Sequence, residues 1–520
     1  MRKHIYLTAS FVLLLVFSPF VRAQTPGDSI FEVSTIHDLR IEFSQPGFWD
    51  SLDTYYNDGN EQMLMGMAIF NGDTIDSVGV RIKGNSSYFH ANDKKSMIVD
   101  FNEYVSGQNW LGVKKILLNN NWSDPTMMRE KITFDFCNKI GIACPRSTYG
   151  NLYLNGTAWG IYSIVEAVDK TFLGSRFPEN DGNLFKAVDA FTMGGTPPTS
   201  DLKWYGFTDA DYYDHYELKT NETINDWSDL RRLIDTLAFA SSASMSTALP
   251  SLMNMDNFYS HHAVDIMLVN TDAYVRSARN YYLYHNLATD QFEWIHWDAN
   301  MSFAGYSGSP SLGVTYVTSS AERPLLTEMY ANATLKDEYL QRLCALHRDY
   351  LNNAYFDPII DSIADAIRAS VYADWRKEYS NTQFENNLTN AIADPFGPPG
   401  STIYGLKDFI ESRDASITSQ LSALGYSCIL SNTDVALDDA MSAVVHPNPF
   451  QDQITVDRTN PSAEWGWQVT DLTGNGILAG NLPAGAGSAQ IEMADLASGM
   501  YLLTLTNERG ERHTVRILRM

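Results

Sequence analysis

The stretch 256–305 constrains this chain more than any other, because its hydrophobic period switches from helical to strand-like within a short span. Phe258, His262, Ile266 and Val269 recur at helical spacing, which predicts a helix with one buried face. The turn-forming cluster Asn270-Thr271-Asp272 ends it. Two β-rich runs follow, Asn280–His285 and Phe292–Trp297, joined by a short polar turn containing Asn286 and Asp290, which predicts a hairpin. Asp272 lies just before the hairpin, Asn280 opens it, and Asp298 leaves it directly after Trp297.

Helix, Asp-bearing loop, Asn, hairpin, Asp is the order in which a kinase presents its base and its metal ligands. On that order Asp272 is the catalytic base that accepts a substrate hydroxyl proton, and Asn280 and Asp298 hold a divalent cation on the ATP phosphates. A carboxylate without a cation repels a nucleotide, so Asp298 makes sense only with the metal. The gap from Asp272 to Asn280 is wider than in ordinary protein kinases, which makes the pattern atypical.

The wording adds to the order. VNTDAYVRSARNYYLY followed by WDANMSF resembles the spore-coat protein H (CotH) kinase family, marked by an N-x-D loop, an Asn-Tyr-Tyr-Leu-Tyr strand and a Trp-Asp-x-(Asp/Asn) turn. Val80–Ser87 (VRIKGNSS), Lys94-Lys95-Ser96 and Leu154–Lys170 (LNGTAWGIYSIVEAVDK) resemble the family in the same order. The resemblance implies an α+β, atypical protein-kinase-like domain with a helical C-terminal part. It also implies transfer of the ATP γ-phosphate to Ser/Thr hydroxyls of an extracellular protein substrate, with Mg2+ or Mn2+. Asn300 stands where some relatives carry Asp.

Upstream, Val78–Ile82 and Met97–Phe101 alternate as strands. Lys83-Gly84-Asn85-Ser86-Ser87 lies between them, and its small residues let a backbone approach phosphates. Lys83, Ser86 and Ser87 are therefore cofactor-binding candidates, although an ordinary hairpin loop has the same composition. Lys95 is the candidate phosphate-binding lysine, with Lys94 as the alternative. Asp124-Pro125 predicts a helix start, with Met128, Ile132 and Phe136 on one face and Gly141 as the stop. Glu130 is either the partner of a nucleotide-binding lysine or a first-turn acid favoured by the helix dipole. Asn151–Leu154 and Gly160–Val165 flank Asn155-Gly156 and predict a second hairpin. Glu166 after it and Lys186 in NLFKA match polar positions of the family pattern, which implies that they line the nucleotide cleft.

Residues 190–255 are polar and aromatic, with a helical part near Asp226–Ala240, and read as an insertion or a substrate-side element. Gly305–Ser320 reads as a loop near Asp298. From Arg323 to Leu424 the chain turns helical. One predicted helix opens at Asp357-Pro358 with Ile359, Ile363, Ile367 and Val371 on a face. Another carries Leu406, Phe409, Ile410, Ile417, Leu421 and Leu424.

Composition shifts after Cys428. A polar, acidic linker covers 429–443, and short strands follow at Gln453–Val456, Trp467–Asp471, Gln490–Met493, Met500–Thr506 and Thr514–Leu518. They predict a small all-β sandwich over 444–520. PNPF, VTDLTGNG, LASGMYLLTLT and RILR resemble the C-terminal sorting domain of type IX secretion cargo, which implies the type IX machinery as a partner and delivery across the outer membrane.

Met1–Ala23, with Arg2 and Lys3 before an apolar run, reads as a secretory signal peptide, and the remainder holds no other membrane-spanning stretch. Together these readings divide the chain into a signal peptide (1–23), a CotH kinase-like domain (30–428), the linker and the sorting domain. A net charge of −25 argues against nucleic acid as a partner, since phosphate attraction needs basic clusters. Of the four cysteines, Cys137 and Cys144 are spaced to close a small disulfide loop. No CxxC or Cys/His spacing points to zinc, and His261-His262 reads as a packed pair. Two other functions compete with the kinase: a non-catalytic surface adhesin or structural protein on a kinase-like fold, and a metal-dependent hydrolase using the Asp pair.

Overall fold

A computed structural model describes residues 25–428 and 443–519, apart from 32–35, 90–91, 189–198, 306, 320–321 and 398 in the first range. In the second it omits 447–449, 459–463, 471–475, 486, 495, 498 and 508–511. The signal peptide, most of the linker and the PNP turn lie outside the described residues. The chain divides into two units, Met1–Cys428 and Ile429–Met520.

Seven strands of the first unit close into a barrel: β1 (His37–Glu42), β2 (Leu64–Phe70), β3 (Asp73–Lys83), β4 (Ser96–Asp100), β5 (Lys115–Asn119), β6 (Ser147–Leu154) and β7 (Thr157–Glu166). Their order is β1-β2-β3-β4-β5-β7-β6, antiparallel except where β1 meets β6. Alternation explains the closure. Val78, Val80, Ile82, Met97, Val99, Ile116, Leu118 and Ile164 fill one core, whereas Ile98, Leu117, Ile161 and Val165 face a second. The β6–β7 turn has Asn155 at φ 44° and Gly156 at φ 75°, the left-handed pair that a tight hairpin demands.

A second sheet follows, from β8 (Leu184–Ala187), β9 (Tyr216–Leu218), β10 (Tyr281–Asn286) and β11 (Gln291–His296), in the order β11-β10-β8-β9. The helix Met255–Met267 packs against β11 and the helix Ala333–Tyr350. It is buried around its whole circumference from Phe258 to Met267. The expected single buried face is thus corrected: the helix is central, with layers on every side.

Two helix starts also differ from expectation. Asp124 does not open a helix. Its carboxylate accepts from the Thr126 and Arg129 backbone N–H groups (both 2.9 Å) and from the Arg129 guanidinium, and Met127 at φ 57° interrupts the path. The helix therefore runs Arg129–Lys139. Further on, Asn352 rather than Asp357 caps the helix Asn353–Ala373, so Pro358 sits inside it and the buried stripe becomes Phe356, Ile360, Ala364, Ile367 and Val371. The helix Leu406–Ala423 follows the expected stripe, except that Leu424 is exposed. The disulfide joins Cys344 to Cys428, and Cys137 and Cys144 are buried thiols, which corrects the expected loop closure.

One buried ion pair ties the barrel to the helical part. Lys94 Nζ donates to Asp374 Oδ2 at 2.6 Å, and the Ile161 N–H donates to the same oxygen at 3.2 Å. Gly160, at φ +112°, is required there, because a Cβ would collide with the Asp374 carboxylate. Lys94 is thereby committed to structure. Burial pulls its pKa down, and Asp374 works against that shift.

The second unit holds two sheets around one core. β14 (Ala443–His446), β15 (Gln453–Arg458) and β18 (Ser488–Glu492) form one; β16 (Trp465–Thr470), β17 (Gly476–Leu482), β19 (Gly499–Asn507) and β20 (Arg512–Arg519) form the other. Ile454, Val456, Ile491, Val469, Leu503, Leu505 and Ile517 fill the space between them. β14 and β17 have no counterpart in the expected strand set. β12 (Ile392–Ala393) and β13 (Thr402–Ile403) make a minor ribbon in the first unit.

Removing Asp374 leaves an uncompensated buried ammonium, so Asp374→Ala should lower the unfolding free energy by roughly 3–5 kcal/mol in denaturant melts. Lys94→Met combined with Asp374→Leu should recover most of that loss. A single variant as stable as the parent contradicts the assignment.

Candidate functional site

The open end of the β10–β11 hairpin builds the site. Tyr281 pairs with His296, and one step beyond, the Trp297 N–H donates to the Asn280 carbonyl at 3.2 Å. Asn280 and Asp298 therefore flank the mouth. Asn280 Nδ2 donates to the main-chain oxygen of Asp272 at 2.9 Å and to its Oδ2 at 3.1 Å. Asn280 thus joins the loop that bears Asp272 to the end of the hairpin that Asp298 leaves.

The loops here hold unusual backbone. Val269, Ala278, Asn280, Asp298, Phe303 and Ala304 all have φ between 48° and 62°. Such conformations cost on the order of 1–3 kcal/mol each and persist only where surroundings impose them. Two buried arginines do so. Arg323 donates through Nε to the Tyr274 carbonyl (2.6 Å) and through its guanidinium to the Arg276 carbonyl, which fixes the loop 272–280. Arg413, fully buried in the helix Leu406–Ala423, donates to the carbonyls of Ile266 (2.8 Å), Pro310 (2.7 Å) and Leu312 (2.6 Å). It binds the end of the central helix to the loop after Asp298.

Glu130, in the first turn of Arg129–Lys139, reaches the same neighbourhood. It is buried, and Asn119 Nδ2 donates to both carboxylate oxygens at 2.9 and 3.2 Å. Burial first and then the charge of Asp298 push Glu130 up to about 8, while Asn119 and the Lys83 ammonium oppose the rise. Lys83 Nζ lies 5.7 Å from the Trp297 ring centroid. The charges of Lys83 and Asp298 thus both act on Glu130.

The other expected residues make contacts of their own. Lys95 Nζ donates to the Tyr88 carbonyl at 2.6 Å and covers the Tyr88 ring. Ser86 and Ser87 open the 3-10 turn Ser86–Phe89, and Ser87 Oγ takes the space a Cβ at Gly84 (φ +106°) would need. Glu166 is buried between Arg146 and Arg176, each at 2.6 Å. Lys186 lies opposite Tyr282 on β8, 3.7 Å from Glu217.

Sequence reasoning missed Asn119, Arg323 and Arg413. For Arg413 a signal exists: it falls four residues after Phe409 and four before Ile417, a core position of a predicted stripe. Asn119 and Arg323 carry no such mark.

Inner spore coat protein H of Bacillus subtilis is 25% identical over 295 residues, 56% of this chain and 77% of its own length. Invasin CotH3 of Rhizopus delemar is 20% identical over 371 residues, 64% of this chain and 57% of its own. Among solved structures, a DUF3244 family protein with an immunoglobulin-like β-sandwich fold from Bacteroides vulgatus is 15% identical. It covers 16% of this chain and 95% of its own, and its TM-score of 0.13 is too low to bear on the fold. Residues 444–518 match the model described as a secretion system C-terminal sorting domain, which marks the chain for transport across the outer membrane to the cell surface or beyond. Among the described residues no helix is long and apolar enough to cross a membrane. Residues 80–395, from the strand that carries Lys83 to just past β12, match the model described as CotH kinase protein, and the chain belongs to that family.

Proposed function

We propose that the chain is an exported atypical kinase that moves the γ-phosphoryl group of ATP to Ser or Thr hydroxyls of extracellular proteins, with Mg2+ or Mn2+. One observation carries the reading: Asn280, bonded to Asp272, opens the hairpin whose other end runs into Asp298, and the charges of Asp298 and Lys83 act on Glu130. In this reading the barrel and the helix Arg129–Lys139 serve as the nucleotide lobe of a kinase-like fold, and the central helix and hairpin serve as the catalytic lobe.

The donor chemistry fits a hard cation. Asn280 gives its amide N–H to Asp272, which leaves the amide oxygen as a donor, and Asp298 adds a carboxylate. Burial first, and then the charge of Asp298, raise Glu130, and a cation held by Asp298 would offset the second of these. When bound, the metal neutralises the charge on the transferring phosphoryl group.

The chain's own residues supply the rest. Asp272, held by Asn280, accepts the proton of the attacking hydroxyl. Lys83 contacts the nucleotide phosphates, and Glu130 orients Lys83 as the helix glutamate of a kinase does. Ser86 and Ser87 offer further contacts from the adjoining loop. Lys95 and Lys186 are peripheral contacts in this scheme, and Glu166 acts by fixing Arg146 and Arg176.

A second reading, a non-catalytic surface adhesin, is favoured by export to a space where ATP is scarce and by the relative named as an invasin.

Incubating the purified chain with labelled ATP and either metal separates the two. Asp298→Ala should abolish label transfer, and Asp272→Ala should reduce it by roughly 10²–10⁴-fold. Full activity in both variants rejects the site, and no nucleotide binding with any metal favours the adhesin. Asp298→Asn removes the negative neighbour of Glu130, so the Glu130 titration followed by carbon-detected NMR should move below its value of about 8. Deleting residues 444–520 should retain the chain in the periplasm, which cell fractionation reads directly.

A further inference from the structure

A buried group of donors lies apart from the residues of the proposed reaction. The Sγ atoms of Cys137 and Cys144 and a ring nitrogen of His296 lie within 4.8 Å of one another, and all three side chains are buried. They come from three elements: the last turn of Arg129–Lys139, the segment before β6, and the final residue of β11. This dispersion is why no sequence spacing announces them.

The surroundings are those of a ligand set rather than of a chance cluster. His296 turns Nδ1 toward Cys137 Sγ at 3.6 Å, and its Nε2 lies 2.9 Å from Asp265 Oδ1. Asn270 Nδ2 steadies the same oxygen at 3.0 Å. A metal-bound histidine characteristically gives its other N–H to a carboxylate in this way. His261 supplies a fourth nitrogen: its Nδ1 lies 2.5 Å from His296 Nδ1, the ring is fully buried, and its Nε2 has no partner among the described residues. With His296 Nε2–H given to Asp265, the two facing nitrogens share either the ring N–H of a neutral His261 or a metal ion.

The cysteines point the same way. Cys344 and Cys428 are joined, whereas Cys137 and Cys144 remain thiols in a chain destined for an oxidising space. Adjacent buried thiols persist there when a metal holds them.

We propose that Cys137, Cys144, His296 and His261 form a closed structural site for a zinc-type divalent ion. Zn–S bonds of about 2.3 Å and Zn–N bonds of about 2.0–2.1 Å give tetrahedral edges of about 3.3–3.8 Å, which the two thiols and His296 approach and which the two ring nitrogens reach by moving apart. Each ligating thiol releases its proton as its bond to the metal forms. With four protein donors no position is open to substrate, so the ion is structural. It pins the helix that carries Glu130 to the strand that ends two residues before Asp298.

Elemental analysis of the full chain, purified without chelator, tests this independently of phosphoryl transfer. The expected content is about one zinc ion per chain, falling below about a tenth in Cys144→Ser and Cys137→Ser. Should those variants fail to fold, cobalt reconstitution of the chelator-treated parent decides: thiolate-to-cobalt charge-transfer absorption supports the site. Peptide mapping that finds a Cys137–Cys144 disulfide overturns it. So does a parent chain that takes up neither zinc nor cobalt while both thiols are free.

Discussion

The register of β10 against β11 is the constraint on which the rest of the first unit depends. Tyr281 opposite His296 puts Asn280 against Trp297, which brings the loop before the hairpin and the segment after it to one mouth. A slip of one residue would exchange the two faces of the hairpin. Here both faces are buried: Tyr281 and Leu283 belong to the large core, while Tyr282 and Tyr284 pack with Phe172 and Ile295. No alternative register satisfies both sides. The geometry of the acids is therefore set by packing, which works against the repulsion between like charges.

Packing alone cannot stabilise irregular backbone in an interior, because buried carbonyls need donors. The structure meets that need with guanidinium groups. Arg323 serves the loop that bears Asp272, and Arg413 serves the end of the central helix and the loop beyond Asp298. Arg129 does the same one layer away, donating to Asn387 Oδ1 and the Tyr404 carbonyl, each at 2.8 Å. A guanidinium suits the task because one planar group presents several donors in fixed directions.

The legible and illegible parts of the chain divide along the same physical line. Periodicity and turn chemistry exposed the hairpins, the Asn155-Gly156 turn and the alternating barrel strands, since those signals are local. The order Asp272, Asn280, Asp298 was readable because the hairpin returns the chain on itself. Lys83 and Lys95 were not distinguishable in that way: both lie near one loop, and only the fold shows Lys83 acting on Glu130 while Lys95 folds back on Tyr88. Helix starts at Asp124 and Asp357 misled for a different reason. Each has the composition of a cap, but short-range hydrogen bonds, from Arg129 in one case and to Asn352 in the other, reset where the first turn begins. The disulfide was non-local, with 84 residues separating its ends.

That crosslink sits at the very edge of the first unit, Cys428 being its final residue. Closing a loop of this size disfavours the unfolded chain by roughly 4–5 kcal/mol in the entropic account. Chain ends are ordinarily where a fold begins to fray and where proteases gain entry. Here the end that trimming of the tail would create is already stitched to the helix Ala333–Tyr350, so losing the delivery signal need not loosen the body it delivered.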